Sequence, residues 1–145
     1  MQHCGKDHDW QVDSYDLKRS AEHDLLDDFL VESLIADIVD DKFDAVLMSP
    51  PCATWSSGRG QTGGPPPLRG KDKIIYGLKD LTHTRNKQVR MGTALALRAH
   101  QIAKVCQAHS IPYMIENPLP LRDSDVGIFM LPECEKKVKN KEMIL

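Results

Sequence analysis

The stretch FDAVLMSPPCATWS, residues 43–56, contains a predicted strand and the turn that follows it. Its first part, the apolar run Phe43 to Met48, is typical of a strand buried on both faces of a parallel sheet. Two prolines then fix the backbone, so the strand stops and Cys52 lies on the turn beyond it. A second apolar run, Ile111 to Ile115, ends in the same way at Glu116-Asn117-Pro118.

Two helices and a further strand are predicted around these runs. Apolar residues at helical spacing predict a helix from Asp27 to Val39, with Asp27 or Asp28 as its N-cap. An Ala-rich segment predicts a second helix from about Asn86 to His109. The residues on its apolar face are Val89, Ala96, Ala99, Ala103 and Cys106. Alternation from Trp10 to Tyr15 predicts a short strand at the start. This order predicts an α/β fold with a mostly parallel sheet, right-handed crossovers and flanking helices.

The two strand ends are expected to form one site. Ligands of such sheets bind outside the carboxyl ends of the strands, and neighbouring strands lie only about 4.8 Å apart. Cys52 and Glu116 are therefore expected to converge, the thiol as a nucleophile and the carboxyl as a proton donor or acceptor. A Pro-Cys pair also carries the nucleophile of thymidylate-synthase-type enzymes, so the pair alone does not identify a reaction. A structural turn cysteine stays open as the alternative.

Charge is distributed unevenly along the 145 residues. The formal net charge is −2, yet residues 57–90 contain eight Lys or Arg and two Asp, a balance of +6, which leaves −8 for the rest. A basic segment on an acidic chain is typical of a phosphate-bearing partner, although a solvated loop is the alternative. Gly and Pro are frequent in residues 57–85, which predicts a long irregular insert.

The cysteines indicate the compartment. They stand at positions 4, 52, 106 and 134 without a CxxC pair, which favours a reducing, intracellular setting, nuclear or cytoplasmic. His3, Cys4 and His8 lack a second ligand pair, so no metal site is predicted. No apolar run has membrane-spanning length and no signal peptide is visible, so no membrane partner is predicted.

Four motifs, taken together, resemble those of one enzyme family over roughly residues 10–120. Pro50-Pro51-Cys52-Ala53-Thr54-Trp55-Ser56 resembles the PPCQxFS motif of cytosine-C5 DNA methyltransferases, and Glu116-Asn117-Pro118 is similar to their ENV motif. Asp16 and Asp24 match the acids after the second and third strands of that family. The long insert resembles divergent members from phage and mobile elements. The resemblance implies a partial Rossmann-like fold that depends on S-adenosylmethionine.

The resemblance also implies roles for single residues. Cys52 would attack C6 of a cytosine flipped out of DNA, and Glu116 would bond N3 and stabilise the charge that develops in the ring. The residues implied for S-adenosylmethionine are Asp16, Asp24 and Pro50. The residues implied for the substrate are Pro51, Ser56, Arg59 and Asn117. DNA is the expected partner, RNA stays open, and no oligomeric state is predicted.

Departures from the family pattern keep other functions open. Ala53, Trp55 and Pro118 replace the family's Gln, Phe and Val, and neither the Gly-rich cofactor loop nor the target-recognition region is found. Residues 1–135 are therefore expected to be an N-terminally truncated catalytic domain with little methyl transfer, followed by a charged tail at 136–145. The alternatives are an inactive nucleic-acid-binding remnant and a small-molecule enzyme. Asp16 and Asp24 could instead be loop caps, which is the commoner role of a lone Asp. Glu116 could simply start a turn, and Trp55 could be a core anchor.

Overall fold

The structure, a computed structural model, describes residues 11–135. In chain order these form helix α1 (Asp28–Val39), strand β1 (Val46–Met48), helix α2 (His83–Ala108), strand β2 (Tyr113–Ile115) and the short helix α3 (Pro132–Glu135). Short 3-10 helices lie at Ala21–His23, Asp72–Tyr76 and Ile128–Met130. The predicted α/β class is confirmed. The predicted tail at 136–145 and the candidate ligands at positions 3, 4 and 8 lie outside the described residues.

The first segment differs from the prediction. Residues 11–15 form no strand, so that prediction is wrong for them, while Trp10 lies outside the described residues. Val12 is 76% exposed, and no described strand hydrogen-bonds to this segment. Alternation favours a strand only where a neighbour pairs with it, because an isolated strand leaves its backbone groups without ladder partners.

Helix α1 has the predicted bounds and cap. Asp27 accepts a hydrogen bond from the Phe29 backbone N–H at 2.9 Å, which satisfies one of the donors left over at a helix N-terminus. The buried residues Val31, Leu34 and Ile38 recur at helical spacing. Helix α1 packs on α2, and Ile38 joins a core cluster that includes Met48 of β1.

The two strands pair in parallel, as predicted, with Val46 beside Tyr113, Leu47 beside Met114 and Met48 beside Ile115. The prediction that β1 is buried on both faces is wrong, and β2 is likewise largely exposed. Leu47 is 68% and Met114 64% exposed, whereas Met48 is buried against α1 and α2. Helices cover one face of the sheet, and no element within residues 11–135 covers the other.

Helix α2 connects the strands and carries the core. It begins three residues earlier than predicted, where Thr82 Oγ1 accepts from the Arg85 N–H, and its predicted apolar face is buried. One end of that face packs on α1 and the sheet around Cys106, and the other packs on Trp55, Ile75 and the Val126–Leu131 segment. In the described part of the chain, no helix is long and apolar enough to cross a membrane.

The insert at 57–85 is irregular, as predicted, but it is anchored on the protein. Leu68, Arg69 and Ile75 are buried, and the Leu78 N–H donates to the Leu68 carbonyl at 3.0 Å. Apart from the 3-10 helix at Asp72–Tyr76, regular structure returns only at His83, where α2 begins.

Candidate functional site

The ends of β1 and β2 lie side by side, as the sequence predicts. The Glu116 N–H donates to the Met48 carbonyl at 2.8 Å, so the ladder continues one residue beyond β2. Pro50, Pro51 and Cys52 leave this edge from β1, while Glu116 and Asn117 leave it from β2. The structure therefore brings the two motifs to one edge of the sheet.

Glu116 is tied to the end of β1 by its side chain. Its Oε2 accepts a hydrogen bond from Ser49 Oγ at 2.9 Å, and both residues are exposed. This contact ties the carboxylate to Ser49, the residue between β1 and the prolines that precede Cys52. Sequence reasoning missed Ser49, although its place directly after a strand that neighbours β2 was a usable signal.

Cys52 occupies an exposed turn. The Trp55 N–H donates to the Cys52 carbonyl at 2.8 Å and closes the turn, with Pro50 half-buried and Pro51 exposed before it. Of the three cysteines in residues 11–135, Cys106 is buried and Cys134 half-buried, so Cys52 is the exposed one. Burial raises the pKa of the Cys106 thiol, which disfavours its thiolate. A substrate can therefore reach Cys52 much more readily than Cys106.

Asn117 brings an unsatisfied amide to the same edge. Its side-chain Oδ1 and Nδ2 are both buried, and neither has a hydrogen-bond partner among the described residues. Buried polar atoms without partners are uncommon because each costs the energy of its lost hydration. An amide can both donate to and accept from a ligand, so Asn117 suits its predicted substrate role.

Ser56 and Arg59, predicted to contact substrate, form bonds within their own loop. Ser56 Oγ accepts from the Gly58 N–H at 3.2 Å. Arg59 Nε donates to the Ala53 carbonyl at 2.6 Å, and its Nη1 donates to the Pro66 carbonyl at 3.1 Å. The second of these bonds joins the loop after Cys52 to the middle of the insert.

Arg69 is one of the eight cations of the basic segment 57–90, which was expected to meet a phosphate-bearing partner, but its side chain is buried. It is 5% exposed and lies with its guanidinium 3.5 Å from the centroid of the Trp55 ring. Burial lowers the pKa of Arg69 to about 10, so the side chain stays charged at neutral pH. Trp55 is 3% exposed and belongs to the core, in keeping with the core-anchor alternative.

Six of the eight cations in residues 57–90 are exposed on the surface, the exceptions being Arg59 and Arg69. The six are Lys71, Lys73, Lys79, Arg85, Lys87 and Arg90.

A groove of about 410 Å³ runs between the insert and the Arg122–Asp125 turn, and its lining includes Ser56, Arg59 and Lys71. Arg122 also lines this groove, and its side chain donates to Asp125 and to the carbonyls of Ser57 and Arg59. Asp125 raises the pKa of Arg122, and Arg122 lowers the pKa of Asp125.

The acids assigned to S-adenosylmethionine have local roles. Asp16 Oδ1 accepts from the Lys18 N–H and Asp24 Oδ1 from the Leu26 N–H, each at 2.9 Å. Each carboxylate thus closes a turn of its own loop, as the loop-cap alternative predicts, and neither follows a strand. The described residues therefore do not form the strand-end acids that the implied cofactor site requires.

Comparisons of this chain with protein-family models, with curated proteins and with solved structures find no match. Within residues 11–135, no group of three or more His, Cys, Asp or Glu side chains is placed to hold a metal ion.

Proposed function

We propose that this chain carries the nucleophile and proton donor of a cytosine-C5 DNA methyltransferase. One observation supports this most strongly: the Pro50-Pro51-Cys52 turn and Glu116-Asn117 follow hydrogen-bonded parallel strands at one sheet edge, and Ser49 holds the carboxylate. In the proposal, the β1–α2–β2 unit is part of a Rossmann-like methyltransferase fold, and DNA is the partner. S-adenosylmethionine is the methyl donor that the family resemblance implies. Because Asp16 and Asp24 do not fit its site as described, we derive only the covalent half of the reaction.

The Cys52 thiolate adds to C6 of cytosine, so a sulfur–carbon bond forms and the C5–C6 π bond breaks. The displaced electron pair moves through the ring toward N3, which takes the proton of the Glu116 carboxyl. The ring is then an enamine whose C5 is nucleophilic. A proton from water can add at C5. Loss of the other C5 proton, return of the N3 proton to Glu116 and departure of the thiolate restore cytosine.

Proton exchange at C5 gives a test that needs no methyl donor. We expect wild-type protein in deuterated water to introduce deuterium at C5 of cytosine in an oligonucleotide, read by mass spectrometry of the nucleosides. Cys52→Ser removes the thiolate and should abolish exchange. Because Cys52 is exposed, its substitution should change the free energy of unfolding by no more than about 0.5 kcal/mol. Cys134→Ser, the same chemical change elsewhere, should retain exchange.

The outcomes separate the three functions that the sequence leaves open. Exchange by Cys52→Ser at the wild-type rate contradicts the assigned nucleophile. Binding of the oligonucleotide without exchange by the wild type favours the inactive nucleic-acid-binding remnant. If the wild type neither binds the oligonucleotide nor exchanges its C5 proton, the result favours an enzyme acting on small molecules. A parallel reaction with RNA of the same sequence distinguishes the two nucleic acids.

A further inference from the structure

Two arginines of the insert contact the Cys52–Trp55 turn from different sides. Arg59 Nε donates to the Ala53 carbonyl, next to Cys52, at 2.6 Å. Arg69 donates twice to Thr54 Oγ1, from Nε at 3.2 Å and from Nη2 at 3.0 Å. The second arginine also covers the Trp55 ring, an arrangement in which the cation is attracted to the face of the aromatic system. The turn is therefore bound at three successive residues.

The remaining bonds of Arg69 attach the turn to the rest of the molecule. Nη1 donates to the Ile75 carbonyl at 2.8 Å and to Thr93 Oγ1 at 2.9 Å, and Nη2 donates to the Val89 carbonyl at 2.8 Å. Thr93 and Val89 belong to α2, and Ile75 belongs to the insert. One planar side chain thus connects three separate parts of the fold.

Burial of the Arg69 charge costs free energy, which argues that Arg69 does more than anchor the insert. Every bond of Arg69 goes to a neutral hydroxyl or carbonyl oxygen, and no carboxylate among the described residues pairs with it. A buried charge without a counterion is expensive, and it is tolerated only where its hydrogen bonds are satisfied. An apolar residue would close the insert onto α2 at lower cost, but it could not bond Thr54.

We propose that Arg59 and Arg69 are positioning residues that fix the Cys52 turn, so that the insert braces the nucleophile. The catalytic consequence rests on the proposed function. Cys52 is exposed, so the position of its thiol depends on the backbone of the turn, with two prolines on one side and this brace on the other. Displacement of a reacting group by 1 Å costs about 100-fold in rate, so a modest loosening of the turn is measurable.

Thr54 offers a matched pair of variants. Thr54→Val keeps the shape of the side chain but removes the acceptor of two Arg69 bonds, whereas Thr54→Ser keeps the hydroxyl. We expect the valine variant to increase amide hydrogen exchange at residues 52–56 about tenfold or more, with α1 unaffected. At saturating oligonucleotide it should slow C5 proton exchange by about 10- to 100-fold without weakening binding. The serine variant should behave as wild type in both measurements.

Arg59→Met is the second variant, because the valine variant leaves two N–H groups of Arg69 without partners and could unfold. It removes the bond to Ala53 from the more exposed side, and it should also loosen the turn and lower the saturating rate. Equal amide exchange in the valine and serine variants overturns the brace. A looser turn with an unchanged saturating rate overturns the positioning role. Wild-type protein without C5 exchange counts against the proposed function, and amide exchange alone then decides the brace.

Discussion

Replacement of Gly92 by alanine sets helix propensity against packing at the centre of the structure. Gly92 lies within α2, where alanine is favoured over glycine by about 1 kcal/mol. A Cβ at this position, however, would lie 2.7 Å from Thr54 Oγ1 and 3.3 Å from Arg69 Nη2. Thr54 cannot move aside without breaking its two bonds from Arg69, and overpacking of this kind costs about 1–3 kcal/mol. The gain in helix propensity offsets about 1 kcal/mol for a broken hydrogen bond, so we expect Gly92→Ala to reduce the free energy of unfolding by about 1–3 kcal/mol.

Urea unfolding followed by circular dichroism measures this effect. The dependence of the free energy of unfolding on urea has a slope of about 2 kcal/mol per molar for a domain of this size, so the midpoint should fall by roughly 0.5–1.5 M. The control repeats the substitution in a Thr54→Ala background, where the obstructing oxygen is absent. There the alanine should be neutral or stabilising, which reverses the sign of the effect. A rise in the midpoint for Gly92→Ala alone would refute the close approach of α2 to the Cys52 turn.

Three further predictions test the chemistry and the charges. Glu116→Gln should slow C5 proton exchange because an amide cannot deliver a proton to N3, while binding of the oligonucleotide at saturation stays unchanged; an undiminished rate would remove Glu116 from the reaction. Replacing Lys71 and Lys73 with alanine should flatten the dependence of log K on log salt by about 0.9 for each duplex phosphate that the protein no longer neutralises, and an unchanged slope places the nucleic-acid face elsewhere. Burial lowers the pKa of His100, so the unfolded chain binds more protons and the free energy of unfolding falls as the pH drops below the ordinary value of about 6.5. His100→Gln should lose that part of the dependence in urea titrations from pH 7.5 to 4.5, and identical curves would contradict the assignment.

Local signals explain what could be predicted from the sequence. The bounds of α1 follow from the Asp27 cap and the apolar spacing of residues that pack on its neighbours. The two strand ends could be placed together because consecutive parallel strands joined by a helix usually neighbour one another. The meeting of the Cys52 and Glu116 motifs at one edge was therefore a consequence of topology, and the structure confirms it.

Features that depend on distant partners could not be predicted in this way. The alternation at 11–15 has the period of a strand, but the pattern holds no information on whether a partner lies beside it. Apolar composition likewise suggested that both faces of β1 are buried, whereas Leu47 has no described element above it. Arg69 sits among Gly, Pro and Lys residues that are typical of a surface loop, and nothing local indicates that α2 supplies acceptors for it.

The burial of Arg69 also changes where a nucleic acid would meet this surface. Counted from sequence, residues 57–90 present eight cations, but Arg69 is buried and Arg59 is bonded to two carbonyls. The six remaining cations and the two aspartates in this range are exposed, a balance of +4. All six lie between Lys71 and Arg90, on the second half of the insert and the first turns of α2. The N-terminus of α2 is the positive end of the helix dipole and adds to the positive charge of these side chains. A phosphate backbone attracted to this charge would therefore lie along the start of α2. The first half of the insert would serve the Cys52 turn instead, so phosphate binding and the positioning of the nucleophile can be separated by mutation.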